Sequence, residues 1–358
     1  MLRPYGVSIF PKNPMTENTQ SISPKTRLHY VAGVFYFAFR ALVGAYAISI
    51  LMSILIHFFL DESVSDMVGL INSTLYFMMI GTVILLPICL ILRRKELVLM
   101  LLPSVIVWMV WTIPAFLPKS VPQAPPDATI VTILTYNLLA ITDNYDGIIG
   151  IIRESDADIV AIQELNYDAS DMIADQLQDI YPYMELHPAG IPGMGILSKY
   201  PLSDCTDWRI SRQFQQRCLI TITGKSIVFY NAHPSTPLTA DGFNWRLRDL
   251  EAIFGRVNAD IEAGETVIMA GDWNMTPLSD PYERITGQFS DAYAQVGQGI
   301  GFTYRLHNLG RIGLAGGLPI VRIDYVFYRA PIVALEARVW HENAGSDHEP
   351  VWVKLALP

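Results

Sequence analysis

The chain has 358 residues, of which 16% are charged, and a mean hydropathy of +0.30, too apolar for a single water-soluble domain. Its formal charge of −9 becomes −12 over residues 119–358, where 17 Lys and Arg face 29 Asp and Glu. Such a domain lacks the broad basic footprint of a tight duplex binder.

Residues 1–28 are polar and contain Pro4, Pro11, Pro14 and Pro24, the composition of a loosely ordered tail. Residues 29–117 hold three apolar runs, 41–60, 67–92 and 97–117, none with an Asp, Glu, Lys or Arg. Each is long enough to cross a hydrocarbon core of ~30 Å. A buried helical bundle is the competing reading, but links as short as DESVSD and RRKE favour three transmembrane helices. The first run starts too late for a cleavable signal peptide, and two more follow it. Arg3, Lys12, Lys25, Arg27 and Arg40 precede the first run, and Arg93, Arg94 and Lys95 separate the second from the third. The 61–66 link has Asp61, Glu62 and Asp66 and no base. The positive-inside rule therefore predicts a cytoplasmic N-terminus and an extracytoplasmic domain after Lys119. A transporter or channel is a weak reading, because His57 is the one ionisable group of that kind in the spans. PKSVPQAPPDA, residues 118–128, reads as a stiff Pro-rich linker.

From 129 to 358 the pattern alternates. ATIVTIL and ADIVAIQ predict strands, Tyr145–Glu154 a helix burying Ile148, Ile149, Ile151 and Ile152, and Ala169–Ile180 a second helix. MGILS, CTDWRI, CLITIT and SIVFYNA predict a meander of short antiparallel strands. Phe243–Ile261 predicts a long helix, and TVIMAG, IDYVFYR, VALEARVW and PVWVKLAL supply further strands. Two halves of mixed strands with outer helices give an α/β four-layer sandwich, two mixed β-sheets flanked by helices. Cys89 lies in the second span as apolar filler; Cys205 and Cys218 fall on adjacent strands, either as a disulfide in an oxidising compartment or as two separate core residues.

Six apolar runs of this region border short polar signals. They are Tyr136-Asn137, Gln163-Glu164, Asn231-Ala232-His233, Gly271-Asp272-Trp273-Asn274, Ile323-Asp324-Tyr325 and Gly345-Ser346-Asp347-His348. Singly each is weak: Asn137 alone is a strand-end turn residue, and Gly-Asp-Trp-Asn alone is a tight turn. Together they deliver hard oxygen ligands and two imidazoles to one sheet edge, which suits magnesium-assisted attack of water on a phosphoester. A carboxylate such as Glu164 at the tip of an apolar strand is costly unless a cation meets it.

In order and wording these signals resemble the endonuclease/exonuclease/phosphatase superfamily. That group includes exonuclease III-like nucleases, deoxyribonuclease I, neutral sphingomyelinases and inositol polyphosphate 5-phosphatases. The resemblance runs from about Ile130 to Leu357; the first third of the chain has no counterpart in it. It implies a catalytic set of His233, Asp272, Asn274, Asp324 and His348, and a metal-facing set of Asn137, Glu164 and Asp347. Within it, Glu164 ligates the cation, Asn137 holds a ligand carboxylate or metal-bound water, and Asp347 is a second metal-facing carboxylate. Asp272 orients the attacking water, Asn274 and His233 bond phosphoryl oxygens, and His348, paired with Asp324, stabilises the transition state or relays a proton. Exonuclease III-like members tend to have Tyr at the position of His233, so this chain departs from the abasic-site nuclease pattern.

Phe302-Thr303-Tyr304-Arg305 matches the family's substrate wall only loosely. Arg305, Arg311 and Arg322 are read as solvated before being read as phosphate holders, and His29, His57, His187, His307 and His341 as surface or packing residues. The expected activity is a membrane-anchored, Mg2+-dependent (Mn2+ as the alternative) phosphoester hydrolase, a phosphodiesterase acting on a phospholipid headgroup. Its expected partners are the lipid bilayer and the phosphoester substrate. A membrane-tethered nuclease on DNA or RNA is the second reading, and a non-catalytic receptor or assembly module on the same fold the third. Substrate identity and oligomeric state stay open.

Overall fold

The computed structural model describes residues 24–305, 317 and 319–358. The tail up to residue 23, His307 and Arg311 lie outside the described residues. The chain divides into two compact units, Met1–Tyr46 and Ala47–Pro358.

Helix α1 runs from Pro24 to Phe59, α2 from Asp66 to Ile91 and α3 from Lys95 to Phe116. The first begins well before the expected residue 41. The segment from Tyr30 to Phe39 is apolar too, and Arg40, a good helix former, does not interrupt it. Three helices are long and apolar enough to cross a membrane, spanning His29–Phe59, Asp66–Ile91 and Lys95–Phe116. Many of their large apolar side chains, among them Ile84, Leu99 and Val110, face outward. Ser65 caps α2 by accepting the Met67 N–H (3.0 Å), and Arg93 at φ 55° ends it, so that the Arg94 N–H reaches the Cys89 carbonyl (2.8 Å).

Within the second unit, the α1–α2 link is built into the soluble-looking part. A single 3-10 turn, Glu62–Val64, carries Glu62 to a fully buried ion pair with Arg246 (2.9 Å). Asn72 donates to Glu62 (3.2 Å), and Thr276 donates to the Asn72 carbonyl (3.3 Å). At Gly69 a Cβ would fall 2.0 Å from the Phe243 ring, so glycine sets how closely α2 approaches that side chain.

Residues 129–358 form two six-stranded mixed sheets. Their strands are β1 (Thr129–Asn137), β2 (Ile159–Gln163), β3 (Tyr183–His187), β4 (Met194–Ser198), β5 (Leu202–Trp208), β6 (Gln215–Ile222), β7 (Lys225–Ala232), β8 (Val267–Asp272), β9 (Ser290–Asp291), the short pair β10 (Tyr304–Arg305) and β11 (Pro319–Val321), β12 (Asp324–Tyr328), β13 (Val333–Val339) and β14 (Val351–Leu357). One sheet has the order β13-β14-β1-β2-β4-β3, the other β5-β6-β7-β8-β12-β9. The expected single meander is therefore split, because the chain changes sheets at Lys199–Pro201, leaving β4 in the first sheet and β5 to β7 in the second.

Between the sheets lies a core that includes Ile133, Ile159, Ile196, Phe229, Ile268 and Val326. Helices α4 (Tyr145–Ser155) and α5 (Tyr167–Gln176) cover the first sheet through Ile148, Ile152 and Ile173. Helix α6 (Ala240–Glu262) covers the second through Leu250, Ile253 and Val257. Two short helices, α7 (Asp280–Thr286) and α8 (Ala292–Val296), follow β8 and β9. The four-layer α/β sandwich is thus the observed fold. Cys205 on β5 and Cys218 on β6 form a disulfide (Cα–Cα 4.1 Å), which settles the alternative left open by the sequence.

Candidate active site

Strand periodicity brings the site together. Successive side chains alternate between faces. In β1, Val131 and Ile133 face the other sheet while Leu134 and Tyr136 face the helices, so Asn137 continues the inner row. The same parity puts Gln163, Asn231, Asp272 and Asp324 on the inner face of β2, β7, β8 and β12. Register aligns their ends: Asn137 lies opposite Gln163, Ala232 opposite Gly271, and Asp272 opposite Asp324.

His348 stands at the centre. Its Nδ1 is 2.9 Å from an Asp324 oxygen, and its Nε2 lies 3.7 Å from Asp272 and 4.0 Å from Asp347. Burial alone would discharge the ring, but Asp324 and then Asp272 outweigh it and raise its pKa to about 10. Asp272 is fully buried, and that burial pushes its carboxyl up to about 7 against the pull of His348. His233, also buried, has its Nε2 3.7 Å from Asp272 and an Nδ1 without a hydrogen-bond partner. Burial, and then the charge on His348, lower its pKa to about 3, so this imidazole is neutral.

Asn137 links the two halves. Its amide donates to Glu164 (3.3 Å) and to Asp272 (3.1 Å), while its oxygen accepts the Leu139 N–H (3.0 Å). Its amide thus bridges the carboxylates of Glu164 and Asp272. Glu164 also accepts the Ala140 N–H (3.0 Å), and burial raises its pKa. Asn274 leaves the extended path of β8. At φ 47° it turns back, giving its N–H to Asp272 (3.0 Å) and its side-chain amide to the Pro234 carbonyl (2.9 Å). Glu164, at φ 56°, is likewise left-handed, a conformation that costs on the order of 1–3 kcal/mol and clusters at functional sites. Gly271 at φ 148° is required, since a Cβ there would meet the Ala232 carbonyl oxygen at 1.9 Å.

Several supporting residues were missed or undervalued in the sequence. Gln163 donates to Asn231 across the sheets (2.7 Å), clamping the floor of the site. Gln215 brackets His233, accepting its N–H (2.7 Å) and donating to its carbonyl (2.8 Å). Ser346 donates to the Asn137 carbonyl (2.7 Å) and accepts the His348 N–H (3.0 Å), which pins the Gly-Ser-Asp-His turn against β1. Thr303 accepts the Ile323 and Asp324 N–H groups (3.1 and 3.3 Å), and the Tyr304 ring lies 5.0 Å from that of His348. The Thr-aromatic segment thus does form a wall of the site. Arg322 is buried against Asp291 (2.6 Å), and half-buried Arg305 pairs with buried Glu349.

The residues suit a hard divalent cation. Asp272 and Asp324 place carboxylate oxygens within 4.8 Å of one another and of His348, whose protonated ring leaves the ligating role to carboxylates. Glu164 adds a half-buried carboxylate whose pKa desolvation raises, as suits a cation ligand. Around one imidazolium, buried carboxylates and a neutral imidazole form an anionic pocket with donors that can meet a phosphoryl group.

Solved structures share this fold at low identity. TDP2 from Caenorhabditis elegans is 17% identical, with a TM-score of 0.53 over 63% of this chain and 97% of that one. An endonuclease/exonuclease/phosphatase protein from Beutenbergia cavernae is 20% identical, with a TM-score of 0.51 over 64% of this chain and 72% of that one. An inositol phosphosphingolipids phospholipase C of Schizosaccharomyces pombe is 31% identical over 111 residues, 28% of this chain. The match spans only about a quarter (26%) of that protein's length. A family model, that of the endonuclease/exonuclease/phosphatase family, matches residues 134–348, which run from β1 through the Gly-Ser-Asp-His turn, and the chain belongs to that family.

Proposed function

We propose that this protein is a membrane-anchored, divalent-metal-dependent phosphoester hydrolase, a phosphodiesterase that acts on a phospholipid headgroup. The observation that carries the reading is His348 held between Asp324 and Asp272, an imidazolium fixed beside the carboxylate that would orient water. Asp272 would orient the attacking water and accept its proton, and neutral His233 and the Asn274 amide would bond phosphoryl oxygens. The His348 proton meets the charge that develops on the phosphorus-bound oxygens. Glu164 and Asp347, with Asn137 fixing the Glu164 carboxylate, would hold the cation, magnesium or alternatively manganese. When bound it supplies Lewis-acid polarisation of a phosphoryl oxygen.

Support for a lipid substrate comes from three apolar helices, a charge of −12 beyond residue 118 and the match to the Schizosaccharomyces pombe phospholipase C. Basic residues before α1 and between α2 and α3 support an N-terminus in the cytoplasm and the sandwich outside it. The disulfide fits that compartment. A nuclease acting on DNA or RNA is the second reading; the same charge that favours lipid weighs against it.

The test is hydrolysis by the purified full chain, with magnesium, of sphingomyelin, phosphatidylinositol phosphates and plasmid DNA. EDTA should abolish turnover and magnesium or manganese restore it. Full activity in chelator would sink the mechanism, and cleavage of plasmid alone would select the nuclease.

A further inference from the structure

Beside the site the second unit encloses a cavity of about 770 Å³, within the ~300–1,000 Å³ of small-molecule sites. Its walls come from the ends of the apolar helices, with Phe58, Tyr76 and Trp111, and from the sandwich, with Tyr293 and Phe302. Two segments run directly from it into the site. Thr276 lines the cavity two residues after Asn274, and Phe302 lines it two residues before Tyr304, whose ring packs on His348.

A second feature meets it. Ile106, Met109, Val110, Ile113 and Pro114 occupy one face of α3 and line a shallow apolar groove of about 330 Å³. Pro114 lines both, so groove and cavity meet at that residue. At 1.5 Å per residue the groove extends about 12 Å along the helix. The five groove side chains offer no hydrogen-bond donor and only the weak acceptor of the Met109 thioether. An extended polypeptide laid there would leave its own N–H and C=O groups unpaired, whereas a hydrocarbon chain has none to satisfy. At the cavity end stands Lys119, whose ammonium gives one proton to the Tyr293 carbonyl (3.2 Å) and carries the charge a phosphate requires.

We propose that the groove and cavity seat the hydrocarbon chain of a membrane lipid, delivering its phosphoester head to the His348–Asp272 site. The inference rests on the phosphoesterase reading above and adds a route and an address for the lipid's apolar part.

The full chain in phosphatidylcholine nanodiscs can be irradiated with a diazirine-tailed hexadecylphosphocholine and the label mapped by mass spectrometry. Label is expected on residues 293–302 of the sandwich, which lipids bordering the outer faces of the helices do not reach. It should disappear in Ala115→Trp and, independently, in Ser73→Trp, which fill the cavity from α3 and α2. In both, the ratio of hexadecylphosphocholine hydrolysis to bis(p-nitrophenyl) phosphate hydrolysis should fall at least about tenfold through KM. Label confined to the helices, or persisting on 293–302 in both variants, overturns the proposal. Failure of the phosphoesterase reading looks different: neither diester is hydrolysed although residues 293–302 are labelled, which upholds the lipid seat and retires its link to catalysis.

Discussion

His233 and His348 reach the same Asp272 oxygen at the same 3.7 Å, yet hold opposite charge states. The difference is Asp324, which meets His348 at 2.9 Å and has no counterpart at His233 Nδ1. A raised imidazole pKa contributes stability that is fully present below the unfolded value of ~6.5 and is lost as pH rises through about 10. Hydrolysis that needs this proton should fall on the same alkaline side. Asp324→Asn should move that limb towards lower pH, and Asp324→Ala/His348→Ala should be little worse than His348→Ala alone. An unmoved limb with strictly additive losses in pH–rate profiles would separate the two residues. At Asp272 the change to Asn keeps shape and removes charge; a fall of on the order of 10²–10⁴-fold in kcat is expected with the fold intact by circular dichroism. A loss of only a few-fold would make Asp272 structural. Most of the eight candidate residues were legible because each borders an apolar run. Gln215 and Ser346 were not, since their importance lies in which backbone groups they meet.

Among the elements, α6 governs the site from outside the sheet. Arg246 donates to the Asn274 carbonyl (3.0 Å), and Asp249, about one turn on, accepts the Ser235 N–H (3.0 Å) and hydroxyl (2.7 Å). One helix therefore steadies the segments after both β7 and β8. Arg246 is in turn neutralised by Glu62, so the α1–α2 link completes the support. Removing one partner of a buried pair typically costs about 3–5 kcal/mol, because the other charge stays buried. Glu62→Gln and Arg246→Met should each lower the thermal midpoint of the purified chain by several degrees. A midpoint unchanged in both would mean that water reaches the pair. Sequence reading placed Glu62 in a short exposed link and α6 as a plain amphipathic cover; a partner 184 residues away leaves no local trace.

For the whole molecule, topology is the open physical question that charge can answer. If three crossings place residues 119–358 outside the cytoplasm, protease added to intact cells should cut that region and spare the tail. Cutting of the tail alone would reverse the orientation and remove the oxidising compartment from the account of Cys205–Cys218. The charge of residues 119–358 makes a further demand. A net charge of −12 there gives no net attraction to anionic surfaces, so the lipid reading requires apolar burial. Hydrolysis of lipid in nanodiscs should therefore vary little with added salt. A steep fall with ionic strength would point to a basic docking surface instead.

By itself the sequence determined the strand faces, the three apolar helices and the polar strand ends. These follow from local periodicity and from the cost of leaving a carboxylate on an apolar strand. It misplaced the start of α1 and the sheet membership of β4, because helix propagation past a single Arg and pairing between distant strands are settled by packing. It could not show that Asn274 folds back in a left-handed turn, or that Glu62 reaches Arg246. Each of those depends on which backbone and side-chain groups meet once two sheets close on one another, and only the tertiary structure brings them within hydrogen-bond distance.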